Sequence, residues 1–106
     1  MHAPTPSPPY YAVIFTTTVT DDLEGYTETA EAMEALAYDQ DGFLGIESAR
    51  DDGLGITVSY WRDEQAIAAW KANVDHAMAR TVGRQRWYRS YGLRVAKVER
   101  FYEWER

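Results

Sequence analysis

The stretch FLGIESARDDGLGITVSYW, Phe43 to Trp61, holds two runs of strand-forming residues around one turn. A two-residue hairpin loop needs positive φ at both central positions, and Asp52-Gly53 supplies that chemistry. After the turn, Leu54, Ile56, Val58 and Tyr60 alternate with Gly55, Thr57, Ser59 and Trp61. This is the period-two pattern of a strand with two different faces. Phe43 to Arg50 and Leu54 to Trp61 therefore read as a hairpin. Gly45 and Gly55 lie inside its strands, where a missing side chain weakens packing and marks a bulge or the close approach of another group.

Working outward, Tyr10 to Val19 is rich in β-branched and aromatic residues and reads as a first strand. Asp21 and Asp22, with Glu24 in capping-box spacing, predict a helix start there. That helix runs to about Tyr38 with Tyr26, Ala30, Met33 and Ala37 as its apolar stripe, and Asp41-Gly42 ends it. Beyond the hairpin, Asp63 is a good N-cap for a second helix with Ile67, Trp70, Val74, Ala77 and Met78 as its stripe. Gly83 interrupts the pattern. Arg84 to Tyr91 reads as a short extra helix or turn, and Leu93 to Trp104 as a long closing strand. Pro4, Pro6, Pro8 and Pro9 make residues 1–9 a disordered tail unless something captures it, leaving 10–106 as one domain.

The order β-α-β-β-α-β, with right-handed crossovers, gives a ferredoxin-like α+β sandwich. Its four-stranded antiparallel sheet carries both helices on one face. The other face also bears large residues, and the same face of a second copy is the simplest cover. A homodimer through the sheet face is expected.

Composition narrows the function. The chain has 106 residues, no Cys and a net charge of −6, and 45% of it is hydrophobic. That length supports one domain, and the hydrophobic content is too high for a disordered chain. The missing Cys removes disulfides, thiolate metal sites and a cysteine nucleophile. No apolar run approaches the ~20 residues of a membrane span, and the start resembles no signal peptide, so a soluble cytoplasmic protein is expected. Acidity disfavours nucleic acid. Residues 1–53 hold one basic residue, Arg50, against eleven acidic ones, and residues 54–106 hold ten against six. Arg80, Arg84, Arg86, Arg89 and Arg94 fall close together. They either balance the acidic half or form a rim for a carboxylate-bearing ligand.

Three segments carry a resemblance to a known family: Gly42 to Arg50 with Gly53 to Trp61, Ala66 to His76 with Trp70 and Asn73 inside it, and Gly83 to Tyr88. Together they resemble the antibiotic biosynthesis monooxygenase family, over about residues 10–104. The resemblance implies a dimeric α+β barrel with the ligand between the helices and the helix-facing side of the sheet. It also implies one of two activities: oxidation of aromatic phenols with O₂ and no metal or flavin, or binding and degradation of haem. The haem-degrading members use an Asn on the first strand, a pocket Trp on the second helix and an iron-ligating His about ten residues later. Here Trp70 matches the Trp, the first strand has no Asn, and position 80 is Arg.

The candidate residues follow. Trp70 is either core or pocket wall. Asn73 lies roughly 60° from it at about 100° per residue, at the flank of the stripe, and is either a half-exposed helix residue or an amide that reaches the pocket. His76, the only His outside the tail, lies roughly 120° from Trp70 on the same wheel. It is either a helix-flank residue or a base near neutral pH. A lone His with no Cys falls short of a metal-ligand set. Arg84, Trp87 and Tyr88 could lid a flat ligand or pack the end of the sandwich. Tyr26 and Met33 face the same space from the first helix, where residues at helical spacing are either core or pocket wall. The expected function is a cofactor-independent monooxygenase for a small electron-rich aromatic, with His76 as base and Asn73 or Arg84 stabilising developing charge. The alternatives are a haem-binding or haem-degrading protein, and a non-catalytic dimer that holds a small ligand.

Overall fold

Strand β1, Tyr10–Val19, forms the middle of the sheet because it pairs on both sides. In the computed structural model it is followed by helix α1 (Tyr26–Tyr38), strands β2 (Phe43–Asp51) and β3 (Leu54–Trp61), helices α2 (Glu64–Ala79) and α3 (Arg84–Trp87), and strand β4 (Tyr88–Val98). The structure describes residues 2–79 and 84–106, apart from the side chains at 76–79, 84 and 85. All strand pairs are antiparallel and the sheet order is β2-β3-β1-β4. This is the ferredoxin-like fold expected from the element order. Among the described residues no helix is long and apolar enough to cross a membrane.

The hairpin forms as its turn chemistry dictates: Asp52 has φ 49° and Gly53 φ 82°. Register then sorts the side chains. Tyr11 lies opposite Trp61, Val13 opposite Ser59 and Phe15 opposite Thr57, so these share one face of the sheet. Both long helices pack on that face. Val13, Trp61, Ala37 of α1, and Ala66 and Ile67 of α2 make the buried cluster, with Trp61 wholly inaccessible. Its indole Nε1 donates to Ser59 Oγ at 2.9 Å, so the large ring is buried without an orphaned donor. Asp63 caps α2 by accepting the Ala66 amide at 2.8 Å. That bond and the neighbouring Arg62 guanidinium hold the Asp63 carboxyl below its usual range.

Three boundaries differ from the sequence expectation. Helix α1 starts at Tyr26, after Gly25 at φ 79°, and not at Asp21 or Asp22. Asp22 and Glu24, with Thr20 before them, engage the α3 segment instead. The Thr20 amide donates to Trp87 O at 2.7 Å, Asp22 pairs with Arg86 at 3.4 Å, and Glu24 O accepts Trp87 Nε1 at 2.8 Å. Strand β4 starts at Tyr88, earlier than Leu93, because β1 offers partners that far: Val19 opposes Tyr88. It stops at Val98, short of Trp104, because Val98 already faces Tyr10, the first residue of β1.

The opposite face of the sheet carries Tyr10 and Ala12 from β1, and Leu54, Ile56 and Tyr60 from β3. Part of the N-terminal segment lies on it. The Ala3 amide donates to Glu47 Oε2 at 3.0 Å, and Thr5 Oγ1 donates to the Tyr10 hydroxyl at 3.0 Å. Gly45 leaves the space: a Cβ there would lie 3.1 Å from that of Ala3. Tyr60 donates to Glu47 Oε1 at 2.5 Å. The Tyr60 hydroxyl and the Ala3 amide pull the Glu47 carboxyl below its usual range, while burial and that carboxylate push the Tyr60 phenol up. Leu54 and Ile56, at the far end of the face, stay 51% and 43% exposed.

Candidate functional site

Between α1, α2 and the helix-facing side of the sheet lies a cavity of about 320 Å³. That is within the range of small-molecule sites. Alternation along the strands sends Val13, Phe15, Thr57 and Ser59 into its floor, and Leu93 and Tyr91 extend the floor along β4. Helical spacing brings Tyr26, Ala30, Met33 and Ala37 of α1 along one wall. Trp70 and Val74 of α2 form the other, and Glu34, Lys71 and Asp75 also line the space. Lys71 and Asp75 are joined one helical turn apart at 2.7 Å.

The cavity has an aromatic end. Tyr88 stands edge-on to Phe15 and to Tyr26, with ring centroids 6.1 and 6.0 Å apart, and Tyr91 lies 5.7 Å from Phe15. At the Trp70 wall the indole tilts against Trp61 at 5.1 Å. Its Nε1 is buried and has no acceptor among the described residues. A donor buried without an acceptor costs about 1–3 kcal/mol. Nearby, Ser59 Oγ already accepts from Trp61, which leaves the hydroxyl proton of Ser59 as a donor on the cavity floor.

Of the residues singled out from sequence, Trp70, Tyr26, Met33 and Tyr88 line this cavity. Trp87 does not. It is 3% exposed behind Tyr26, edge-on to that ring at 5.6 Å, and its bond to Glu24 O holds it there. Trp87 thus props the Tyr26 wall. Asn73 does not reach the cavity either. It is exposed and donates to Gln40 Oε1 at 3.1 Å, joining α2 to the residues after α1. The side chains of His76 and Arg84, and all of Arg80, lie outside the described residues. Arg86 is paired with Asp22, and Arg94, opposite Ile14, belongs to the other face of the sheet. These two do not form the expected rim.

Sequence reasoning missed Arg50. Its Nη2 donates to the Tyr26 hydroxyl at 2.6 Å and to Thr17 Oγ1 at 3.0 Å. The guanidinium lies over Gly55, where a Cβ would come within 2.6 Å of Cζ. The sequence signal was the pairing of a strand glycine with the one basic residue of the acidic half. Among the described residues no group of three or more His, Cys, Asp or Glu is placed to hold a metal ion, and no imidazole or thiol lines the cavity.

Comparison with known proteins adds the family context. A family model described as antibiotic biosynthesis monooxygenase matches residues 9–81. The chain is 56% identical over 97 residues to the uncharacterised protein YqjZ of Bacillus subtilis, covering 91% of this chain and 85% of that one. It is 32% identical over 92 residues to a protein of Pyricularia oryzae named jasmonate monooxygenase ABM, covering 83% of this chain but 43% of that longer protein. Among solved structures it is similar to SnoaB of Streptomyces nogalater, described as a cofactor-independent oxygenase. The TM-score is 0.71 and the identity 14%, over 89% of this chain and 97% of that one. At that identity the likeness is one of fold.

Proposed function

The chain belongs to the antibiotic biosynthesis monooxygenase family, and on that premise we propose that it oxidises a small, flat, electron-rich aromatic with O₂ and without metal or flavin. The observation that carries the reading is the cavity, a largely apolar and aromatic space. The names of two relatives, a jasmonate monooxygenase and a cofactor-independent oxygenase, support the reaction class.

The chemistry asks little of the protein. A base removes a proton from a ring methylene or from its phenol tautomer. The resulting carbanion transfers electrons to O₂ and forms a carbon–oxygen bond. The hydroperoxide then loses water and leaves a carbonyl, so the substrate supplies all the electrons. The apolar walls keep water from the charged intermediate, and the Ser59 hydroxyl on the cavity floor stabilises negative charge on a ring oxygen. His76, on α2, is the proposed base. Asn73, held by Gln40 outside the cavity, takes no part.

Leu54 and Ile56 would be covered by the same face of a second copy, which makes the working unit a homodimer. Light scattering that finds only monomer at tens of micromolar chain would end that part of the reading.

O₂ uptake with an anthrone-type substrate tests the reaction. One O₂ consumed per carbonyl formed is expected, with a loss of about 10²-fold or more in His76→Ala. Uptake no faster than in buffer would overturn the assignment.

A further inference from the structure

Strand order divides the cavity floor into two unlike halves. The β1 and β4 half presents the apolar side chains of Val13, Phe15 and Leu93 beside the Tyr91 ring. The β3 and β2 half presents three hydroxyls, those of Ser59, Thr57 and Ser48. Register fixes how they stand. Ser59 lies opposite Val13 and Thr57 opposite Phe15 on the β1 side. On the β2 side Ser48 lies opposite Thr57, and Ile46 opposite Ser59. Ser59 and Thr57, two positions apart on one face of β3, are roughly 6.6 Å apart at about 3.3 Å per residue.

These hydroxyls have bonds to give. Ser59 Oγ accepts from Trp61 Nε1 at 2.9 Å, so its own proton is left for another acceptor. At 3% exposure Ser59 is shut away from bulk water. Among the described residues, no side chain or backbone group bonds to the Thr57 or Ser48 hydroxyl. Ser48, exposed beside Thr57, keeps that end of the floor polar. The helix walls contribute Ala30, Met33, Ala37 and Val74, none with a polar side-chain atom. A ligand oxygen over the apolar half would be desolvated without a partner. A flat ligand therefore turns its oxygenated edge to β3 and its hydrocarbon edge to β1 and β4.

We propose that Ser59 and Thr57 select the substrate by the spacing of its oxygens, and that the preferred class is an aromatic with two oxygens in meta relation along one edge. This rests on the reading of the cavity as the substrate site and narrows the class of substrate it takes. Each hydroxyl donates to one ring oxygen at about 2.7–2.8 Å. Donors two positions apart on a strand can straddle oxygens that have one ring carbon between their own. Oxygens on neighbouring carbons sit within hydrogen-bond distance of each other, so one donor reaches them and the other is left bare. The pairing positions the ring and takes no part in electron transfer to O₂.

Anaerobic calorimetric titration of the whole protein at pH 7 with 1,3-dihydroxynaphthalene and with 2,3-dihydroxynaphthalene tests this. The probes are isomers with the same rings and the same number of hydroxyls, so oxygen placement separates them. The 1,3-isomer is expected to bind roughly fivefold more tightly, the effect of one additional neutral hydrogen bond. In Thr57→Val, which keeps the branched shape, the 1,3-isomer should fall to the level of the 2,3-isomer. Binding of the 2,3-isomer, held by Ser59, should change there by less than about twofold. Thr57→Ser returns the hydroxyl and should return the preference. Equal binding of the two isomers by the parent protein would overturn the spacing rule and leave the cavity reading standing. Binding of neither would overturn both. A preference that survives Thr57→Val, or an equal loss of both isomers in that variant, would end the proposal.

Discussion

Substituting Gly42 by Ala should be among the most damaging single-methyl changes in this protein, and Gly53→Ala isolates the reason. Gly42 has φ 88° and Gly53 φ 82°, so an alanine at either site bears a similar left-handed backbone strain of about 1–2 kcal/mol. Their surroundings differ. Nothing lies within 4 Å of a Cβ at Gly53, whereas a Cβ at Gly42 would stand 2.7 Å from that of buried Ala66. Both of those atoms are fixed to backbone, so neither can rotate away, and overpacking of this kind adds about 1–3 kcal/mol. Gly53→Ala should therefore lose about 1–2 kcal/mol and Gly42→Ala about 2–5 kcal/mol. At roughly 4 °C per kcal/mol for a domain of this size, the two melting points should separate visibly. Urea unfolding followed by tryptophan fluorescence, with unchanged slope, measures the difference. In Gly42→Ala/Ala66→Gly the added methyl has no opposing methyl, so the double variant should be more stable than the summed single losses by about 1 kcal/mol or more. Equal losses in the two alanine variants, or strict additivity in the double, would refute the packing argument. The contact matters for function because Trp70 sits one turn along α2 from Ala66. Moving the start of that helix moves the cavity wall.

Three further outcomes are expected. Trp87→Phe removes the bond to Glu24 O and part of a buried ring, and should cost about 1–3 kcal/mol in urea unfolding, with loosened binding of any cavity ligand. An unchanged midpoint would deny Trp87 its propping role. The Glu47 carboxyl is held below its ordinary range chiefly by Tyr60 and then by the Ala3 amide. Its contribution is therefore complete above the unfolded value of about 4.3 and is lost as pH falls through the lower folded value. Contacts between Ala3 and Glu47, followed by NMR, should persist at pH 5 and disappear in that acid window, and in Glu47→Ala at every pH; a contact insensitive to both would remove Glu47 as the anchor. Haem should titrate without a saturable Soret band, because position 80, where the haem-degrading members of the family carry their iron-ligating His, is Arg. Saturation at one haem per chain would move the protein to the haem-binding branch.

Much of the architecture was legible because it rests on short-range rules. Asp52-Gly53 makes its hairpin wherever two strands flank it, and Asp63 caps α2 with an amide three residues away. The site was legible to the extent that periodicity reports a face. Trp70, Tyr26 and Met33 line the cavity because helical spacing turns them toward the sheet. Where two distant segments compete for the same groups, local signals mislead. Asp21 and Asp22 carry helix-start chemistry, but Thr20 to Glu24 is engaged by Arg86 and Trp87, more than sixty positions on. Tyr88 to Tyr91 lacks a clear strand pattern, yet it is strand because β1 extends far enough to pair with it.

By itself, then, the sequence determined the element order, the sheet with helices on one face and the family, since each follows from patterns within one element or its immediate neighbours. Tertiary structure alone decided which side chains meet. Arg50 of β2, Gly55 of β3, Thr17 of β1 and Tyr26 of α1 come from four elements and converge only through strand register and helix packing. Asn73 and Trp87 were drawn away from the cavity by Gln40 and Glu24 for the same reason. A side chain's partners are set by through-space distances of a few ångströms, which the order of residues along the chain does not contain.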